Sequence, residues 1–279
     1  MGWTWMASKR FHITEGNNMS KDLAKSNEAP QVPAFMVKAS SERQGVDEAA
    51  KYQSKPRVSI IQNQARKERR DEYGVGSIVV MPEGTVLAEG PDAEFVGIPI
   101  LFTATFETHS DFNDTDSPLV MDSSNDPSSE IARKSRIKGL RSETYGDDNQ
   151  YRMSHIEVLN AIVMVDSGAA AGTIGVISFS KSDHSVGRKL ASFLRRSPTD
   201  IYGNRVSFQV TSRSSGQNDW YGWKLNNPED GNVFVQDETQ FAELAALHTE
   251  WAALVGADTL RTYNDEDVTT SGKSDLPAV

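Results

Sequence analysis

Rings and cations are the side chains of this sequence whose chemistry is most readily read. Trp220, Tyr221 and Trp223 stand within four positions, and Phe106, Phe112, Tyr151 and Tyr202 add aromatic faces upstream. Five of the nine residues from 133 to 141 are basic: Arg133, Lys134, Arg136, Lys138 and Arg141. Arg213 lies seven positions before Trp220, and Arg66, Lys67, Arg69 and Arg70 form a second basic cluster. An aromatic face stacks on any nucleobase, for roughly 1–3 kcal/mol per base, while cations along a groove neutralise phosphates. Together they suit a sequence-tolerant grip on one nucleic-acid strand. Each residue type also has a commoner use, since aromatics fill cores and basic runs solvate surfaces. Position must therefore decide.

Other chemistries find little support. The histidines, His12, His109, His155, His184 and His248, are scattered and form no HExxH pair. There is no G-x-S-x-G nucleophile elbow. Gly272-Lys273-Ser274 has the end of a phosphate-binding loop, but Asp267 stands where its first glycine belongs. The run from Asp111 to Asp122 has the texture of a calcium loop, but Asp116 replaces the glycine at position six and Asp122 the glutamate at position twelve. Cysteine is absent, which removes disulfides, thiol nucleophiles and thiolate metal sites. We therefore expect no catalytic residues, no metal and no cofactor.

The elements that would hold the rings and cations can be read from periodicity. Ile98 to Phe106, Ile156 to Val165 and Thr173 to Phe179 are β-rich apolar runs, the last two split by the Gly/Ala turn Ser167 to Gly172. Ser182 to Arg196 has helical spacing, with Val186, Leu190, Phe193 and Leu194 on one side. Arg205 to Thr211 alternates as Val206, Phe208 and Val210, and Trp220 to Leu225 follows as a last strand. The order is β-β-β-α-β-β, that of an oligonucleotide/oligosaccharide-binding (OB) barrel. In that order the basic run Arg133 to Arg141 lies in the loop between strands one and two. Arg213 lies between strands four and five. These are the two loops with which such a barrel clasps its ligand. Strand alternation puts Trp220 and Gly222 on one face and Tyr221 and Trp223 on the other, so one pair is core and the other faces outward.

Further strands are expected at Val58 to Ile61 and in a hairpin around Pro82-Glu83-Gly84, and a short one at Asn232 to Val235. Residues 109–130 read as a long Asp-rich loop, and the Arg66 to Arg70 cluster as an exposed loop. Glu238 to Val255 reads as a helix, with Asp237 as its N-cap and Phe241, Leu244, Ala245, Leu247, His248, Trp251 and Leu254 on its packed side. The expected organisation is a flexible arm over residues 1–55, a binding domain over 56–236, a packed helix over 237–261 and a disordered acidic tail over 262–279. The fold class is mainly β with flanking helices (α+β), an elaborated five-stranded OB-type barrel.

The chain has 279 residues and a formal net charge of -10. That charge looks hostile to nucleic acid until it is located. Residues 226–279 carry 11 acidic and 2 basic groups, so most of the excess lies behind the last barrel strand. No apolar run approaches the roughly 20 residues that a membrane span needs.

Four pieces carry a family resemblance: Pro56 to Gln62, Ile98-Pro99-Ile100 with its strand, Val176 to Ser180 leading into a basic helix, and Trp220-Tyr221-Gly222-Trp223. Between Pro56 and Leu225 the chain resembles the OB-fold single-stranded DNA-binding proteins of tailed bacteriophages. The resemblance implies a non-enzymatic protein that coats single strands during phage replication and recombination, in the cytoplasm of the infected bacterial host. It implies no cofactor, and an acidic C-terminal region that touches phage replication proteins. The expected DNA contacts are Arg133, Lys134, Arg136, Lys138, Arg141, Arg213, Phe106, Tyr151, Trp220, Tyr221 and Trp223. No membrane partner is expected, and self-association stays open. The rival reading is a virion structural or assembly protein that binds no nucleic acid.

Overall fold

A computed structural model of the protein describes residues 55–256, apart from Phe112 and Gln217. The arm up to residue 54 and the acidic tail fall outside the described residues. Among the described residues, ten strands form one mixed, open sheet. They are β1 (Arg57–Ile60), β2 (Ile78–Met81), β3 (Thr85–Ala88), β4 (Glu94–His109), β5 (Val120–Ser124), β6 (Ser142–Tyr145), β7 (Tyr151–Val165), β8 (Ile174–Phe179), β9 (Val206–Ser215) and β10 (Asn218–Asn226). Their order is β10-β9-β4-β7-β8-β1-β2-β3, with β5 added to β4 and β6 to β7. Every pairing is antiparallel except β1 on β8. The five strands expected from the sequence are the consecutive run β10-β9-β4-β7-β8. Among the described residues no ladder joins β8 to β10, and the sheet instead continues through β1, β2 and β3.

Both faces of the central strands are buried. One face holds Phe95, Leu159, Ala161, Val163, Ile177, Phe179, Phe208, Val210 and Trp223. Helix α3 (His184–Arg196) lies on this face with Val186 and Leu190. It comes close because Gly187 has no side chain: a Cβ there would stand 2.8 Å from Cβ of Phe179. The opposite face, with Ile98, Ile100, Ile162 and Val176, is covered by α4 (Glu238–Gly256) through Leu244 and Trp251. Asp237 caps α4 by accepting from the Gln240 amide at 2.7 Å. The side chains the sequence assigned to its packed side are the buried and half-buried ones.

Pro99, inside a central strand, is tolerated because the ladder breaks register between Pro99 and Leu101. The carbonyl of Ile100 in that bulge accepts from His248 Nδ1 at 2.7 Å, which ties α4 to the irregularity. β4 and β7 run 16 and 15 residues and extend beyond the α4-covered core. On this extension lie β5, β6 and helix α2 (Glu130–Arg136).

Several expectations need correction. The Asp-rich stretch 109–130 is not all loop, since β5 pairs there with the end of β4. The basic run is largely helix: α2 is capped by Ser129, whose Oγ accepts from the Ala132 amide, and a short 3-10 turn Lys138–Leu140 follows. The Arg66 cluster begins helix α1 (Lys67–Tyr73). Asn232 to Val235 makes only an isolated bridge, Asn204 with Phe234. Phe193, assigned to the packed side of α3, is exposed.

Candidate nucleic-acid interface

The aromatic cluster is mostly core. Trp223 is buried and meets Phe208 edge-on, with ring centroids 6.3 Å apart. Tyr221 packs on the same cluster. Trp220 and Gly222 take the other face, where the Arg213 side chain covers Gly222. Trp220 is only half-buried, and its indole N–H has no partner among the described residues. Phe106 is fully buried, with the Arg136 guanidinium 4.7 Å above its ring. Phe106 and Trp223, expected to stack on bases, offer no open face in this structure. Tyr151 is half-buried against Tyr145 across the β6–β7 hairpin, with centroids 5.5 Å apart.

Arg213 is not in a loop. It stands in β9 opposite Trp220, and its side chain crosses β10 over Gly222. It donates to the carbonyls of Ser182 and Trp223 and pairs with Asp183 at 2.8 Å. Asp183 in turn accepts from the Trp223 amide, while the amide and carbonyl of Tyr221 bond to the Gln62 side chain at 2.9 Å each. Side chains thus satisfy the edge of β10 that a neighbouring strand would otherwise pair. Burial holds the Asp183 carboxyl above the usual carboxylate range, against the opposing pull of the Trp223 amide and Arg213.

The expected basic run divides into engaged and open groups. Lys134 sits between Glu143 (2.9 Å) and Glu130 (3.4 Å), and its hydrogen bond to Glu143 lifts its ammonium above the ordinary lysine value. The same bond holds Glu143 below the carboxylate range. Arg133 lies beside Glu130, at 3.9 Å, on the exposed side of α2. Lys138 is exposed on the turn after it. Beneath α2, buried His155 bonds through Nδ1 to Thr108 Oγ1 at 2.9 Å, and its Nε2 lies 3.6 Å from Glu143.

Arg136 and Arg141 line a cleft of about 620 Å³ between α2 and α3, Arg136 also donating to the Pro127 carbonyl at 2.9 Å and Arg141 to the Ser135 carbonyl at 2.7 Å. Lys181, His184 and Arg188 line the opposite wall, and Glu157 from β7 is the one acidic residue on its surface among the described residues. Glu157 touches both walls: it lies 3.7 Å from Arg136 and accepts from His184 Nε2 at 3.0 Å. Four full cations against one carboxylate make this a local positive site on an acidic chain. Lys181, His184 and Arg188 were not among the expected contacts. Their sequence signal is a basic stripe at helical spacing, overshadowed by the apolar side of the same segment.

A second groove, of about 500 Å³, opens beside β1 and β8, where Arg57, Ser59, Gln64, Arg69, Ser178 and Ser180 line it. From there a polar ladder crosses the sheet. Ser178 donates to Asn160 at 2.8 Å, Asn160 to Thr105 at 3.0 Å, and Thr105 to Asn125 at 3.1 Å.

No group of three or more metal-binding side chains converges among the described residues. No described helix is long and apolar enough to cross a membrane.

Comparison with known proteins matches the chain to a protein family. The family model described as Pam3 phage gp34-like protein covers residues 24–253. No curated protein and no solved structure matches the chain.

Proposed function

The chain belongs to the Pam3 phage gp34-like protein family, and from that phage origin we propose that it binds and protects single-stranded DNA during phage replication or recombination. The observation that carries this reading is the cationic cleft between α2 and α3. Arg136, Arg141, Lys181 and Arg188 face one another across a space suited to a phosphate backbone. The strand order supports it as well. The run β10-β9-β4-β7-β8, with α3 following β8, matches the order expected of an OB-type barrel opened between its third and fifth strands. In that frame α2 lies in the connection between the first two strands, where such barrels hold ligand.

Binding in this reading is dominated by phosphates. Phe106 and Trp223 stabilise the fold, and Arg213 seals an edge. Stacking falls to Trp220 and Tyr151, which keep part of their surface open. The protein acts without catalysis or cofactor, in the cytoplasm of the infected host. The acidic C-terminal region is the proposed contact for replication proteins.

The test is alanine substitution of Arg136, Arg141 and Arg188, followed by titration of labelled oligo-dT. Each replacement should weaken binding about threefold to tenfold and reduce the log–log salt slope by about 0.7. A triple variant that binds with wild-type affinity and slope would move the protein toward the virion-component reading.

A further inference from the structure

Among the described residues, three non-glycines adopt positive φ: Asp148 at 58°, Asn149 at 54° and Lys181 at 48°. Asp and Asn tolerate this left-handed region because their short side chains bond locally. Lysine has no such compensation, and glycine would take the conformation without steric cost. A lysine held there is strained, and strained residues of this kind gather at functional sites.

The flanks of Lys181 explain how the conformation is imposed. Phe179, two residues before it, ends β8, bonded in register to Leu159 of β7. After it, Ser182 and Asp183 are pinned to β9 and β10 by Arg213 and the Trp223 amide. The turn between these anchors is short, and Lys181 takes the left-handed step. The turn also separates the two grooves. Ser180 and Asp183 line the groove beside β1, whereas Lys181 and His184 line the cleft between α2 and α3. The Lys181 side chain is exposed and makes no hydrogen bond or ion pair among the described residues.

We propose that Lys181 is a phosphate-binding residue, held in a strained backbone conformation that aims its ammonium into the α2–α3 cleft where the cleft adjoins the β1 groove. The inference rests on the reading of that cleft as a DNA site, which already counts Lys181 among its cations, and adds that the backbone strain at Lys181 is held for binding. It also makes a demand that an ordinary surface lysine does not: stability and binding must change in opposite directions when the residue becomes glycine.

The experiment compares wild type, Lys181→Gly, Lys181→Gln and Lys181→Arg, using anisotropy of fluorescein-labelled oligo-dT over a salt series and thermal melting of the free proteins. Lys181→Gly should bind about threefold to tenfold more weakly, with a salt slope smaller by about 0.7, and should melt higher by about 2–4 °C. Lys181→Gln should lose the same affinity without the gain in melting temperature. Lys181→Arg should keep both. A Lys181→Gly protein that binds like wild type, or that melts no higher, overturns the inference. Wild-type protein that fails to bind oligo-dT at low salt removes the underlying reading, and the inference with it.

Discussion

Arg213 and Asp183 meet at 2.8 Å where β8 and β10 fail to pair. The contact substitutes for a missing ladder. Arg213 reaches it by lying over Gly222, where a Cβ would stand 2.6 Å from the guanidinium carbon. Replacing Arg213 by Ala leaves Asp183 without its cation and two carbonyls without a donor, and should cost about 2–4 kcal/mol. Gly222→Ala should cost about 1–3 kcal/mol by displacing the same side chain, whose hydrogen bonds it would break. In an Arg213→Ala background the Gly222→Ala penalty should nearly vanish. Urea unfolding of the four proteins in a double-mutant cycle checks this, and additive penalties would show that the two residues act separately.

Asp183 also gives the pH dependence a sign. Its folded-state pKa is raised, so ionising it works against the fold. Its stabilising contribution is full below its unfolded value of about 3.9 and is lost as pH rises through the higher folded value. The stability advantage of wild type over Asp183→Asn should therefore shrink as pH rises from about 4. Glu143 has the opposite sign. Lys134 holds its pKa down, so its contribution is present above about 4.3 and is lost as pH falls through the lower folded value. Thermal melts of Asp183→Asn and Glu143→Gln between pH 3 and pH 7, set against wild type, should diverge in these opposite directions.

Glu157 occupies the place among the cleft cations that a phosphate would take. Glu157→Gln should tighten oligo-dT binding about threefold, more at low salt than at high, because screening weakens the lost repulsion. Glu143→Gln removes the same charge outside the cleft and should have a smaller effect. Equal effects of the two would mean that only net charge matters.

Helix α4 belongs to the folded unit. Leu244 is fully buried and Trp251 nearly so, against Ile98, Ile100, Ile162 and Val176. Leu244→Ala should cost about 2–5 kcal/mol and Trp251→Ala about 3–5 kcal/mol. Chemical denaturation measures both, and a loss below about 1 kcal/mol would mean that the helix is dispensable to the core.

Much of the fold could be read from the sequence, and the reasons are physical. β7, β8, α3, β9 and α4 announce themselves because burial imposes periods of two and 3.6 on Val206, Phe208 and Val210 or on Leu244, His248 and Trp251. β5 was hidden, since Val120-Met121-Asp122-Ser123-Ser124 is a largely exposed edge strand with little apolar pattern. The long-range partners of a side chain have no local signature either. Nothing near Arg213 in the sequence signals Asp183, 30 positions earlier, or the carbonyl of Trp223. The face of Trp223 was undecidable for the same reason: alternation gives two faces, and only the packing of Phe208 and Phe179 says which one is core.

The measurement that bears most directly on the proposed function is binding of one labelled oligo-dT and one duplex of equal length at 50 and 200 mM salt. Three to four phosphate contacts in the cleft correspond to a log–log slope of about -2 to -3 on single strands. The account predicts tighter binding to oligo-dT than to duplex, with a roughly 15–60-fold loss of affinity between the two salt concentrations. Equal affinity for both forms, or no binding at the lower salt, would contradict it.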